Sequence, residues 1–257
     1  MPEGDVVWRT ARRLDQALRG EPLVGAELRW PSLGDRSLHG HTTLEVASRG
    51  KHLLHRLSGG LTLHSHLRME GSWRLRRTST MTPAAAGPRS IRALLATTEW
   101  TAIGTSLGML DLVSTRDERL LVGHLGPDLL GDDWDAQRVI RNLRAQPDRA
   151  LGAALLDQRN LAGLGTIWTA EPLFVRRLNP WTPVGELPVE TLEELLDTAR
   201  DMLTYAAHRD RFDEEPAVHG RAGRGCRRCG GTVRVAPIGV PPQDRVMFHC
   251  PTCQGVR

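Results

Sequence analysis

The sequence predicts an α+β protein of several parts: a β-sandwich fronted by one helix, a helical domain, and a small C-terminal module. Three observations predict it. Short apolar runs that alternate with polar residues and break at turn residues fill the stretch from Leu23 to about Val113. From Trp134 onward the apolar spacing becomes helical. All four cysteines then gather near the C-terminus as two C-x2-C pairs. The chain has 257 residues, 40% of them hydrophobic and 25% charged, which suits an ordinary globular protein of more than one domain.

The elements follow in order. Asp5 reads as an N-cap and Gly20 as a C-terminal stop, with Val7, Ala11, Leu14 and Leu18 recurring at helical spacing between them. In the strand region, Leu44 and Val46 alternate with polar neighbours and read as one apolar face. Ser58-Gly59-Gly60 reads as a turn joining His52–Leu57 to Leu61–His66, and Lys51 opens the first of those strands after an Arg49-Gly50 bend. Residues 78–89, rich in Pro, Ala and Thr, read as a loop. The expected division is residues 1–115 for the sandwich, 116–133 for a linker holding Gly126-Pro127-Asp128, 134–218 for the helical domain and 219–257 for the C-terminal module.

In the helical region Val139, Leu143, Leu155 and Leu156 form apolar stripes, with Pro147-Asp148 as a break and restart. Residues 157–166 place two glycines between helices, as a corner of helix–turn–helix type does. Such a corner exposes N–H groups at a helix start, which suits a phosphate; a plain bundle turn has the same pattern. Another helix spans 191–207, ended by Asp213-Glu214-Glu215-Pro216.

Cys226-x2-Cys229 and Cys250-x2-Cys253 have the spacing of a structural zinc site with two knuckles. Two disulfides are the competing reading, and the cytoplasm, where the chain is expected because it lacks a basic-then-apolar leader, disfavours them. No stretch is long and apolar enough to span a bilayer, so no membrane partner is expected. Net charge is only +4, yet residues 219–257 hold seven arginines (221, 224, 227, 228, 234, 245 and 257) against one acid, Asp244. That local excess points to phosphate, although a solvated basic face has the same composition.

Two places carry chemistry. Removal of Met1 would leave Pro2 with a secondary α-amine of pKa roughly 7.7–8.0, against roughly 10.4 for lysine, and hence a usable nucleophile near neutral pH. Glu3 beside it is placed to act as a general acid or base. An exposed Pro-Glu terminus without function reads the same. Lysine and arginine total 34, and Lys51 is the single lysine, so the other 33 are arginines. Arginine cannot exchange a proton, so the one retained ammonium is a candidate for chemistry.

Together these segments resemble the bacterial formamidopyrimidine-DNA glycosylase/endonuclease VIII family of DNA repair enzymes. The resemblance covers essentially the whole chain in one order. It runs from Pro2-Glu3-Gly4 and Arg49-Gly50-Lys51 through Ser65-His66-Leu67-Arg68-Met69-Glu70-Gly71 to Leu125-Gly126-Pro127-Asp128. It continues with the segment 155–166, Val218-His219-Gly220-Arg221, and the four cysteines with Arg245 five residues before Cys250. It implies a helix–two-turn–helix domain and a β-hairpin zinc finger with one structural Zn²⁺ on Cys226, Cys229, Cys250 and Cys253. It implies that Pro2 is the Schiff-base nucleophile, that Glu3 protonates the sugar, that Lys51 donates a proton or holds phosphate during β-elimination, and that Arg245 grips phosphate and assists δ-elimination. Met69, flanked by Arg68 and Glu70, would fill the hole left by an extruded base. His124 and Thr166 fall at DNA-contacting positions. The implied partner is damaged DNA, duplex with single strands left open, bound by a monomer in the cytoplasm at the nucleoid.

Two places depart from the family pattern: Thr166 stands for the usual Asn, and Asp5-Val6 for Pro-Glu. The Gly4 start, and the absence of Arg-Arg-Phe-Gly near residues 100–120, favour the endonuclease VIII branch and oxidised pyrimidines. Two alternatives stay open: a catalytically silent zinc-finger DNA-binding protein, and an N-terminal-nucleophile enzyme acting on a small substrate.

Overall fold

The computed structural model describes residues 2–209 and 215–256; Asp213 and Glu214, read above as part of a helix stop, lie outside them. The chain divides into two compact units, residues 6–124 with Pro2, and the rest of the described chain from Leu125 with Glu3, Gly4 and Asp5.

The first unit is a β-sandwich. Helix α1 (Gly4–Leu18) presents Val7, Ala11, Leu14 and Leu18 to its core, all at most 4% exposed. Gly20, at φ +83°, ends the helix and donates its N–H to the Thr43 carbonyl. The strands are β1 (Gly25–Leu28), β2 (Thr43–Arg49), β3 (His52–Leu57), β4 (Leu61–His66), β5 (Ser72–Arg77), β6 (Ile91–Ala96), β7 (Trp100–Thr105) and β8 (Met109–Ser114). They form two antiparallel four-stranded sheets, ordered β2-β3-β4-β8 and β1-β6-β7-β5. Leu53, Leu57, Leu63, Leu95 and Leu110 fill the core beneath α1. The expected apolar pair on β2 is corrected. A bulge between Thr43 and Glu45 leaves Leu44 53% exposed, while Thr43 and Val46 turn inward.

Residues 78–89 are a loop with some order: a 3-10 turn (Thr78–Thr80) and the one-turn helix α2 (Pro83–Ala86), whose Thr82 hydroxyl accepts the Ala85 N–H. Helix α3 (Glu118–Val122) follows β8 and is fixed to the sheet. Glu118 accepts two hydrogen bonds from Arg56, each 2.8 Å, and one from the Thr62 hydroxyl at 2.6 Å.

In the second unit, helices α4 (Ala136–Arg144), α5 (Leu151–Leu156), α6 (Thr166–Val175) and α7 (Val189–Ala207) bury Leu143, Leu155, Leu173, Leu196 and Leu203 together. A hairpin of β9 (Arg234–Ile238) and β10 (Arg245–His249), followed by helix α8 (Pro251–Gln254), makes the C-terminal module. Ile238 and Met247 from the hairpin enter the helical core, so the small module shares apolar burial it cannot supply alone. Among the described residues no helix is long and apolar enough to cross a membrane.

Candidate active site and metal centre

Glu3 is 1% exposed, and its carboxylate is held by the start of α6. Oε2 accepts the N–H of Gly165 at 2.9 Å and of Trp168 at 3.2 Å, and Oε1 accepts that of Ile167 at 2.9 Å. Three aligned donors and the positive end of a helix stabilise an anion there. The glycines of the corner make this approach possible. A Cβ on Gly165 would lie 2.3 Å from Glu3 Cδ, and one on Gly4 would lie 2.9 Å from the Gly163 carbonyl that accepts the Gly4 N–H. Gly163 itself sits at φ +103°. The phosphate reading of this helix start is therefore corrected: a carboxylate of the chain itself takes those N–H groups. Asp5 is corrected too. It lies inside α1 and not at its cap, and its Oδ1 accepts the Trp168 indole N–H at 3.0 Å. Pro2, half-buried, directly precedes Glu3.

In the first unit, Gly50 and Lys51 form the two-residue turn between paired Arg49 and His52, with Gly50 at φ +57°. Lys51 is half-buried, and its charge acts on two imidazoles, His52 and His66. Burial first, and then neighbouring positive groups, push His52 down to about 3 and His66 down to about 4, so both are neutral at pH 7. His124 is exposed, its ring edge-on to His52 with centroids 6.4 Å apart. Arg68, Met69 and Glu70 form an exposed tip between β4 and β5, with Met69 64% exposed and Arg68 at φ +51°. The Arg68 N–H donates to His66 Nδ1 at 2.9 Å, which fastens the tip to the strand below it. The structure thus brings Lys51, His124 and the Arg68 end of the tip around His52 and His66. Neither histidine had been singled out by residue type. Cross-strand pairing of His52 with His66 follows from a turn centred on Gly59, and that register was the available signal.

In the second unit, Thr166 is 8% exposed and its hydroxyl lies 3.3 Å from His219 Nε2. Glu171, 4% exposed, accepts the N–H groups of Ala217, Val218 and His219 at 2.7, 2.9 and 2.8 Å and so ties this segment to α6. All four cysteines are free thiols, and the Sγ atoms of Cys226, Cys229, Cys250 and Cys253 lie within 4.8 Å of one another. Cys226–Cys253 and Cys229–Cys250 are 3.9 and 3.5 Å apart. Four thiolates at roughly 2.3 Å around a tetrahedral cation stand roughly 3.8 Å apart, so the donor set fits one metal ion. Arg245 opens β10 and is exposed, its guanidinium donating to the carbonyls of Gln243 and Asp244. The finger's arginines are not equally available. Arg221 and Arg227 pair with Glu215, and Arg228 donates to the Phe174 and Val175 carbonyls at the end of α6. Arg224, Arg234 and Arg245 stay exposed, and Arg257 lies outside the described residues.

Comparison with known proteins agrees with this architecture. The profile of the formamidopyrimidine-DNA glycosylase N-terminal domain matches residues 1–125, and that of the formamidopyrimidine-DNA glycosylase H2TH domain matches residues 125–213. A probable endonuclease 8 2 of Streptomyces coelicolor is 48% identical over 266 residues, covering 99% of this chain and 94% of the relative. The DNA-(apurinic or apyrimidinic site) lyase Nei2 of Mycolicibacterium smegmatis is 40% identical and covers 99% of both chains. Among solved structures, Lactococcus lactis formamidopyrimidine-DNA glycosylase bound to DNA containing an AP site superposes with a TM-score of 0.81 at 24% identity, over 98% of this chain and 99% of that one. With two matching domain profiles, full-length relatives and a common fold, the chain belongs to the formamidopyrimidine-DNA glycosylase/endonuclease 8 family.

Proposed function

We propose that this chain excises oxidised pyrimidines from duplex DNA and cuts the strand by β,δ-elimination through a Schiff base on Pro2. As a member of its family it is a DNA glycosylase with AP lyase activity in base excision repair, and it binds DNA. The observation that carries the finer reading is the buried carboxylate of Glu3, fixed on the start of α6 one peptide from Pro2. A fixed carboxylate next to a secondary amine can take the amine's proton as its nitrogen displaces the base from C1′, and return it to the ring oxygen as the C1′–O4′ bond opens to the iminium. The resulting iminium acidifies the C2′ proton, whose loss expels the 3′ phosphate. A second elimination leaves a one-nucleotide gap with phosphates at both ends. Lys51 supplies a proton-exchanging ammonium, and Arg245 grips the phosphate. The tip of Arg68, Met69 and Glu70 fills the vacated stack, while His124 and Thr166 contact the strand. The Gly4 start supports the pyrimidine branch.

The four cysteines would hold one structural Zn²⁺, which supplies fold and not chemistry because four thiolates leave no open position for water. The four-part division at residues 115, 133 and 218, a monomeric state, use of single strands beside duplex, and a cytoplasmic, nucleoid-bound location complete the proposal. Single-turnover assays on duplexes bearing an oxidised pyrimidine, an oxidised purine or an abasic site test it. The expected result is faster release of the pyrimidine and 3′-phosphate ends. Binding of all three duplexes without cleavage would favour a silent DNA-binding protein.

A further inference from the structure

Behind Lys51 the first unit holds a chain of hydrogen-bonded side chains that the chemistry above does not use. His64 on β4 is completely buried, and its Nδ1 lies 2.9 Å from Asp111 Oδ2 on β8. Its Nε2 lies 2.8 Å from His52 Nδ1. An ionised carboxylate only accepts, so His64 carries a proton on Nδ1; with that single proton it turns a bare Nε2 to His52. His52 must then donate from Nδ1, which leaves its own Nε2 bare. His66 is fixed in the opposite sense: its Nδ1 accepts the Arg68 N–H, so its proton sits on Nε2. Two rings with centroids 4.8 Å apart therefore offer one acceptor and one donor beside the only lysine of the chain. The charged and titratable groups facing His52 are Lys51, His64, His66 and His124, with Asp111 behind His64 and Arg68 beside His66.

We propose that Asp111, His64 and His52 are positioning residues for Lys51, a chain that fixes one tautomer of His52 and presents its bare Nε2 as an acceptor for the lysine ammonium. The proposal rests on the reading of Lys51 as a proton-exchanging group. The chain orients and does not conduct. Lys51 gives its proton to the departing group, becomes a neutral amine and is reprotonated from water, while His52 and His66 stay neutral. His66, through the Arg68 N–H, links the same place to the Met69 tip.

The test is a double-mutant cycle read by single-turnover cleavage of an abasic-site duplex and excision of an oxidised pyrimidine. The proteins are the full chain, His64→Phe, Lys51→Arg and the double variant. Affinity for a duplex with a non-cleavable abasic analogue is measured beside them. His64→Phe is expected to slow turnover at saturating DNA on the order of tenfold to a hundredfold, the cost of losing an orienting partner, with Kd unchanged within about twofold. In the Lys51→Arg background it should change the rate by less than about twofold. Because His64 is buried, Asp111→Ala provides a milder second variant, its side chain being 40% exposed, and should give the same pattern. Nitrogen-15 spectra of histidine-labelled protein read the tautomer directly, with a bare Nε2 on His52 in the full chain and a mixed tautomer in both variants. Equal slowing in both lysine backgrounds, unchanged rates despite a changed tautomer, or a His52 protonated on Nε2 would overturn the proposal. If Lys51→Arg leaves both rates unchanged, the reading of Lys51 fails. If it slows them while His64→Phe and Asp111→Ala do not, only the histidine chain fails.

Discussion

Replacing Gly165 with alanine should unseat Glu3. The added methyl would lie 2.3 Å from Glu3 Cδ and 2.4 Å from Oε1, distances no real contact shows. Gly165 has φ −123°, which alanine adopts without strain, so the cost comes from displacing the carboxylate and not from the backbone. Three N–H bonds to an anion are lost or stretched, each worth about 1.5–3 kcal/mol, and water reaching the vacated helix start offsets part of that; about 2–4 kcal/mol of stability should go. Base excision should fall about a hundredfold, the scale of a 1 Å misplacement at a reacting group. Urea unfolding of Gly165→Ala, Glu3→Ala and the double variant isolates the cause. With Glu3 already truncated, adding Gly165→Ala should cost less than about 0.5 kcal/mol. The same loss in both backgrounds would refute the steric argument.

Three further outcomes follow from the structure. His52, His55 and His66 are held at about 3, 4 and 4 against 6.5 when unfolded, so the unfolded chain takes up protons first. Stability should be full above about pH 6.5 and fall toward pH 4, on the order of 3 kcal/mol from buried His55 alone; a flat profile of unfolding midpoints from pH 7 to 4.5 would contradict it. Metal analysis of reduced protein should find one Zn²⁺ per chain, and a chelator should melt the C-terminal hairpin before the rest; absence of zinc, or two disulfides, would remove the site. Arg245→Ala should weaken DNA binding and lower the salt slope by about 1, as loss of one phosphate contact does; an unchanged slope would place Arg245 off the DNA.

What the sequence could disclose depended on how far apart the partners lie. The alternation of the strands, the stripe Val7, Ala11, Leu14 and Leu18, and the cysteine spacing are local patterns, and the structure realises each. Leu44 escaped because a one-residue bulge inverts the faces of β2, and no local residue signals it. The start of α6 looked open to a phosphate because the anion that fills it, Glu3, is 162 residues from Gly165. Arg228 looked like a phosphate ligand for the same reason, its carbonyl partners lying more than fifty residues back on α6. The histidine pair was legible in principle, since a tight turn at Ser58-Gly59-Gly60 sets His52 opposite His66. Asp111 was not, because the pairing of β8 with β4 crosses three intervening strands, all of the other sheet.

Mass spectrometry of the covalent adduct decides whether Pro2 is the nucleophile. The full chain with Met1 removed is incubated with abasic-site duplex, reduced with borohydride and digested. The expected result is a sugar remnant on the peptide that begins at Pro2, and no adduct when Pro2 is replaced by glycine or Met1 is retained. A remnant on Lys51, with the N-terminal peptide unmodified, would contradict it.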